Sequence, residues 1–296
     1  MFLFLTLLVF APEDLSYLSF HHVFPAGSAH GKTLFVGLNR DHRPFLPKLV
    51  VYDYATHQAE EDNDDRIRVM PFTAACPTKD GFFLFVPDGT IYVLDKRGLF
   101  VRALRIREFS GFESGWQFHQ IYPGPDQSFW VNAQDQVTKD RRFFRVDPVA
   151  GVVDTVVSAQ KVESYLPLND GFLFWDRYTG EIGTADSSFE QEGTLVLGKK
   201  VVKYKHPRYQ PKYGSGLQIR LSYAYPTAGL GVFLQRFSVS GNSPEATRVA
   251  LYIAKDRKPF QDTLYLIGTH GEKGLFFHLD DLEFAVRDFD KWRGTR

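Results

Sequence analysis

The sequence predicts an all-β fold made of a repeated four-stranded unit, and three observations carry that prediction. Val, Ile, Tyr and Phe are gathered into short runs, with 28 Phe against 2 Met in 296 residues; such residues fit a pleated, half-buried surface. A proline follows a strand-like run five times, at Pro25, Pro77, Pro123, Pro167 and Pro226, at spacings of 52, 46, 44 and 59 residues. No stretch holds a helical apolar period over a useful length.

Each element of the unit has a physical reason. The runs "SFHHVFP", "FTAACP", "WQFHQIYP", "VESYLP" and "RLSYAYP" read as first strands. Their prolines belong at a strand end, because proline donates nothing to a β ladder. A second run follows each turn: "TLFVGL", "FFLFV", "SFWVNA", "FLFWD" and "GVFLQRF". Third strands follow as "KLVVYDY", "TIYVLDK", "RFFRVDP", "EIGTADS" and "RVALYIA", and fourth strands are visible in "LFVRAL" and "VVDTVV". Asp-Gly pairs at Asp80-Gly81, Asp88-Gly89 and Asp170-Gly171 supply the positive φ of tight hairpins. Four-stranded units of about 45 residues have the spacing of propeller blades.

Five units plus "DTLYLIGTHGEKGLFFHLDDLEFAVRDF", in which Gly268 takes the proline place, predict a six-bladed β-propeller of four-stranded antiparallel blades, with seven blades as the alternative count. Residues 16–296 form this single domain. Residues 1–15 have two readings. The uncharged run Phe2–Phe10 resembles the apolar core of a signal peptide, with Val9 and Ala11 at small-residue cleavage positions. Against this, no Lys or Arg precedes the run and Pro12 follows the cut. The other reading is a strand that supplies the last unit's missing outer strand and closes the ring.

Composition narrows the function. Lys+Arg and Asp+Glu both number 35, so no general field draws the chain to nucleic acid or to an anionic membrane. Nine apolar residues are too few to span a bilayer. The single cysteine, Cys76, excludes an intramolecular disulfide and a cysteine zinc site; among small apolar neighbours it reads as a buried structural thiol.

The stretch "GTIYVLDKRGLFVRAL", then "SGFESGWQF", then "IYPGPDQSFWVNA" resembles the blades of the NHL-like six-bladed β-propeller proteins. The match is best over residues 70–190 and fades after 198. The resemblance implies architecture and not chemistry, because propellers host hydrolases, lyases, receptors and scaffolds alike.

Two candidate sites follow. Four residues before the prolines stand His21, Thr73, His119, Glu163 and Ser222, a polar phase in all five units, while two before them stand Val23, Ala75, Ile121, Tyr165 and Ala224. A polar ring at the axial channel is expected. Within it His21, His119 and Glu163 offer two imidazoles and a carboxylate, donors that suit a divalent metal; the bland alternative is hydrogen bonding to neighbouring blades or channel water. His22 is set apart from His21 because adjacent strand residues point to opposite faces. The second candidate is the segment 198–216, which breaks the repeat. It interleaves cations and aromatics, and Lys203, Tyr204, Lys205, Arg208, Tyr209, Lys212 and Tyr213 are its expected ligand-binding residues, against a solvated loop as the alternative.

Other motifs carry less. "GSAHGKT" has its glycines too close for a phosphate-binding loop and no helix after it. "EEDNDD" at 60–65 lacks the glycine and terminal glutamate of a calcium-binding hand and reads as an acidic loop with weak cation binding at most. Asp41 and His42 sit in a proline-rich loop where solvated polar residues are ordinary. The expected function is non-catalytic binding of a protein or extended ligand through the channel mouth and the 198–216 loop, by a monomer with no required cofactor. The competing class is a metal-dependent hydrolase of the lactonase or esterase kind. The periplasm or the cell exterior is the expected location if residues 1–11 are cut away, and the cytoplasm if they are kept.

Overall fold

In a computed structural model of the protein, the described residues are 15, 18, 20–39, 47–157, 164–168, 171–175, 181–185, 191–197, 216–225, 230–238, 248–253, 260–279 and 281–294. Their strands form six antiparallel sheets. The first holds β1 (Phe20–Ala29), β2 (Lys32–Asn39), β3 (Pro47–Asp53) and β4 (Gln58–Glu61). The second holds β5 (Ala74–Pro77), β6 (Gly81–Val86), β7 (Thr90–Asp95) and β8 (Phe100–Arg105). The third holds β9 (Trp116–Pro123), β10 (Phe129–Asp135), β11 (Arg141–Asp147) and β12 (Val152–Val157). The fourth runs β13 (Ser164–Leu168), β14 (Gly171–Trp175), β15 (Glu181–Ala185) and β16 (Gln191–Leu197). The fifth runs β17 (Gly216–Tyr225), β18 (Leu230–Ser238), β19 (Arg248–Ile253) and β20 (Phe260–Asp262). The sixth has only β21 (Leu264–His270), β22 (Lys273–His278) and β23 (Phe284–Asp288).

Successive sheets touch in chain order, and β1 packs between β21 and β5, which brings the sixth sheet back to the first. The chain is a β-propeller. The expectation of six equal four-stranded blades is corrected: five sheets are complete, and the sixth stops at three strands among the described residues.

The turns follow their residues. His30 (φ 53) and Gly31 (φ 73) both sit in the left-handed region between β1 and β2, a two-residue turn whose twist matches the flanking strands. "GSAHGKT" is therefore a hairpin. The "DKRG" turn is held by Asp95, whose carboxylate accepts from Arg97 N (2.8 Å) and Leu99 N (2.9 Å), with Gly98 at φ 86.

Three placements differ from the sequence reading. Pro77 and Pro123 end their strands, but Pro25 lies inside β1 and pairs with Phe35, and Pro167 lies inside β13 and pairs with Phe172. An innermost strand is a sheet edge, so a proline whose nitrogen faces the axis costs no ladder bond. Gly268 pairs with Leu275, and a bulge separates it from Leu266, just as Gly27 pairs with Leu34 across a bulge from Pro25. Gly268 is thus the counterpart of Gly27 and not of a proline. Both glycines mark close approach: a Cβ on Gly27 would lie 2.3 Å from the Ala75 carbonyl oxygen, and one on Gly268 would lie 2.2 Å from Ser28 Oγ.

Neighbouring blades are joined by side chains that stand in for a missing ladder. Asn132 on β10 donates from Nδ2 to Tyr165 O (2.9 Å) and accepts from Tyr165 N (3.1 Å), so its amide reads the β13 backbone as a peptide would. Tyr252 on β19 donates its hydroxyl to Leu264 O (2.7 Å) and accepts from Leu266 N (2.8 Å) at the bulge of β21. His30 Nε2 lies 2.9 Å from Thr78 O and 3.2 Å from Gly81 O, which fixes it as a donor to the next hairpin. Asn132→Ala removes the partner of two buried backbone groups and should cost about 2–4 kcal/mol, since each such loss costs about 1–3 kcal/mol. A urea midpoint shift without change of slope checks it.

The apolar faces fill the spaces between sheets. Phe85, Ile121, Phe129 and Val131 pack between the second and third, and Phe143, Tyr165 and Phe172 with Trp130 between the third and fourth. A short helix, α1 (Phe289–Gly294), ends the described chain and buries Phe289 and Trp292; the sequence reading contained no helix. Among the described residues no helix is long and apolar enough to cross a membrane.

Candidate functional site at the channel mouth

Phe24 meets Phe72 edge-on at 5.3 Å and a Cβ on Gly27 would meet Ala75. The first and second sheets therefore lie side by side in the same direction. With the same strand order in every sheet, each innermost strand starts at one end of the ring. That end also receives the connection into each innermost strand and the connection from second to third strand. Of the polar phase, the described positions His21, Thr73, His119 and Ser222 belong to this end.

The register singles out three of these four positions. Phe20 pairs with Asn39 and His22 with Leu38, so His21 is the extra residue of a bulge. Phe118 pairs with Ala133 and Gln120 with Asn132, so His119 is another. Leu221 pairs with Phe233 and Tyr223 with Val232, which makes Ser222 the third. A bulge adds twist and redirects the chain at a strand edge. Strict alternation fails across it, so backbone register does not hold His21 and His22 to opposite faces there.

The side chains differ in what they offer. His119 is exposed on β9, as is Gln117 two residues before it. Thr73 is 1% exposed, and its hydroxyl donates to Met70 O (2.7 Å) and accepts from Met70 N (3.2 Å). It closes the turn into β5 and does not face a ligand, which corrects its place in the polar ring. Glu163 lies outside the described residues, and His21 and Ser222 are described by backbone register alone. The proposed ligand residues Lys203, Tyr204, Lys205, Arg208, Tyr209, Lys212 and Tyr213 also lie outside the described residues, as do Asp41 and His42.

One group at the mouth escaped the sequence reading. His22 leans on Phe24 (6.4 Å, 33°), and Phe24 meets Phe72. Phe72 has φ 66, a left-handed conformation that costs a bulky residue of order 1–3 kcal/mol, and Met70 beside it is 43% exposed. Only the strand-to-loop register of "MPFTAAC" places these rings together, and no motif announces it. On the third sheet Arg142 lies over Trp116 (4.7 Å) and 3.5 Å from Glu113.

Around the 60–65 segment, Asp64 and Arg66 are paired with each other at 2.5 Å, which holds the Asp64 carboxyl down at about 2. Burial raises Asp62 above its ordinary value, while Asp64 N donates to it. The 60–65 segment is thus an acidic loop in which Asp64 is paired with the adjacent Arg66. Among the described residues no three His, Cys, Asp or Glu side chains stand together as a metal site. Cys76 is 1% exposed; burial pushes its thiol up to about 12, too high for a nucleophile at neutral pH, in agreement with a structural role.

No protein-family model matches the chain, and no curated protein matches its sequence. Solved structures do. A luciferin-regenerating enzyme aligns at a TM-score of 0.53 with 11% identity, over 92% of this chain and 90% of that one. An oligogalacturonate lyase in complex with manganese aligns at 0.47 with 10% identity, over 90% and 76%. A regucalcin, a calcium-binding protein from Agrobacterium tumefaciens, aligns at 0.46 with 14% identity, over 87% and 83%. The likeness at 0.53 is one of fold alone, and by fold this chain is an all-β propeller similar in architecture to that enzyme.

Proposed function

We propose that the protein is a non-catalytic binding propeller of NHL-like type that recognises a protein or an extended ligand at the channel mouth. The observation that carries this reading is the shared bulge. Three sheets break their innermost ladder at the same polar position, on the end of the ring where residues 198–215 lead into β17. Half-buried rings at His22, Phe24, Phe72 and Trp116 line that end beside exposed Gln117 and His119. Aromatic faces with adaptable polar groups are the composition of recognition surfaces. Lys203, Lys205, Arg208 and Lys212 would bring cationic groups to the same rim, with Tyr204, Tyr209 and Tyr213 between them.

The competing reading gives His21, His119 and Glu163 to a divalent metal that lowers the pKa of a water for ester or lactone hydrolysis. Elemental analysis of wild type and His119→Ala after incubation with Zn²⁺, Mn²⁺ or Ca²⁺ separates the two. The binding reading expects no stoichiometric metal in either protein. It further expects that signal on an array of peptides and oligosaccharides is lost when Lys203, Lys205 and Arg208 are changed to Glu, with the circular dichroism of the fold unchanged. One equivalent of metal in wild type, lost in His119→Ala, would overturn it in favour of the hydrolase.

A further inference from the structure

The outer strands of the ring differ sharply in charge. β4 carries Glu60 and Glu61, and β12 carries Asp154. Around β8, residues 96–107 hold Lys96, Arg97, Arg102, Arg105 and Arg107 and no Asp or Glu. With 35 cations and 35 anions on the whole chain, that is a local concentration and not a general field. The acids nearest in sequence are largely engaged elsewhere. Asp95 caps its own turn, and Asp64 is taken by Arg66, whose guanidinium lies over Phe100 at 4.4 Å; Glu108 follows the run. Among the described residues Lys96, Arg97, Arg102 and Arg107 make no ion pair, and nothing pairs with the outer edge of β8.

The strand is held from its inner side. Phe100 packs on the core between the first and second sheets, and Leu104 on the core between the second and third. Arg105 donates to Thr90 on β7. Ile106 N donates to Gly89 O at 3.0 Å, and residues 90–93 continue that register against 105–102. Alternation along an antiparallel ladder then turns the backbone N–H and C=O of Ala103 and Arg105 away from β7. Val101 is the extra residue of a bulge and is 57% exposed, with Leu99 before it 49% exposed. Backbone donors and acceptors, two exposed apolar side chains and flanking cations thus share one open edge. Cations on an edge repel a second copy of that edge, and by the same charge they favour an acidic strand.

We propose that the outer edge of β8 takes an acidic, extended segment of a partner protein as a fifth strand of the second sheet, a surface separate from the channel mouth. Backbone bonds along the edge supply affinity, and the cations choose the strand. The probe is a fluorescent peptide in which Glu alternates with Val and Thr, titrated into the full chain by anisotropy. Its counterpart with Lys for Glu, and heparin as a polyanion without a strand backbone, serve as controls. The Glu peptide should bind at least tenfold tighter than the Lys peptide, and Arg102→Glu with Arg107→Glu should weaken it about tenfold or more. Ala103→Pro removes one outward N–H and leaves the charge and the β7 ladder in place; it should also weaken binding about tenfold. Bound peptide should slow exchange of the Ala103 and Arg105 amides about tenfold, while those of Phe129–Asp135 in β10 stay unchanged. Should Ala103→Pro disturb the strand, exchange on the wild type carries the test. Equal binding of the Glu and Lys peptides overturns the proposal. So does undiminished binding by a folded Ala103→Pro, or binding of heparin and peptide alike without slowing of those amides, either of which makes the edge a polyanion surface. Slowing of the same amides with protein concentration alone would give the edge to a second copy and overturn it as well.

Discussion

Trp292→Ala is expected to destabilise the protein by about 3–5 kcal/mol, the range for emptying a buried tryptophan site. The indole is 6% exposed and sits where the fifth and sixth sheets meet. Its ring meets Tyr252 (5.0 Å), Phe260 (5.6 Å) and Phe276 (4.9 Å), so one side chain from α1 contacts β19, β20 and β22. Its Nε1 donates to Asp262 at 2.9 Å, and Asp262, 7% exposed, also accepts from Leu264 N at 3.1 Å. The substitution therefore opens a cavity and withdraws a donor from a buried carboxylate, and the second loss adds to the first. Trp292→Phe separates them: it keeps most of the volume and loses only the N–H, and should cost about 1–3 kcal/mol. A calorimetric or urea measurement checks both. Equal costs for the two variants would mean that the hydrogen bond, and not the ring, anchors the helix.

The helix that carries Trp292 also shows why part of the fold was hidden. "FDKWRG" is barely more than one turn, and its apolar pair Phe289 and Trp292 gives a single spacing of three, from which no helical period can be read. The strands were legible because each one repeats its evidence: an apolar run, a turn pair and a proline at a recurring spacing. Pro25 was misplaced because the same proline chemistry is satisfied inside an edge strand as well as at its end. Gly268 was aligned with a proline by position, yet its register is that of Gly27, set by how closely two innermost strands approach.

The polar phase was legible in the sequence, and the local geometry at its positions was hidden. Of the five positions four before the prolines, His21, Thr73, His119, Glu163 and Ser222, three fall at bulges: His21, His119 and Ser222. A bulge is a count of two residues against one on the partner strand, so it belongs to a pair of strands and not to either sequence alone. Thr73 shares the phase, but β5 begins after it, and its hydroxyl turns back to Met70. The rings of Phe24 and Phe72 come from different sheets, about one repeat apart, and only the packing of the innermost strands brings them together.

Above neutral pH the protein is expected to lose stability in two stages, because its buried acids resist ionisation. Burial pushes Cys76 up to about 12 from an ordinary 9.0, with the Gly124 carbonyl contact a smaller, opposing influence. Tyr54 is pushed to about 12 from 10.0 by burial, against a smaller lowering by Thr33, whose hydroxyl donates to it at 3.1 Å. Tyr252 is raised well above its ordinary value, again by burial first. The folded pKa values exceed the unfolded ones, so the unfolded chain releases protons that the folded chain keeps. The stability these neutral groups contribute is complete below pH 9 and is lost as pH rises toward 12. At about 1.4 kcal/mol per unit, Cys76 accounts for about 3–4 kcal/mol between pH 9 and 12, and Tyr54 for about 2–3 kcal/mol between pH 10 and 12. Urea unfolding at pH 7, 8, 9.5 and 11 should give midpoints that agree up to pH 8 and fall at 9.5 and 11. Cys76→Ala should flatten the fall that begins near pH 9 and Tyr54→Phe the part that begins near pH 10. If both variants fall as steeply as wild type, the loss arises from the net charge of the whole chain and not from these buried groups.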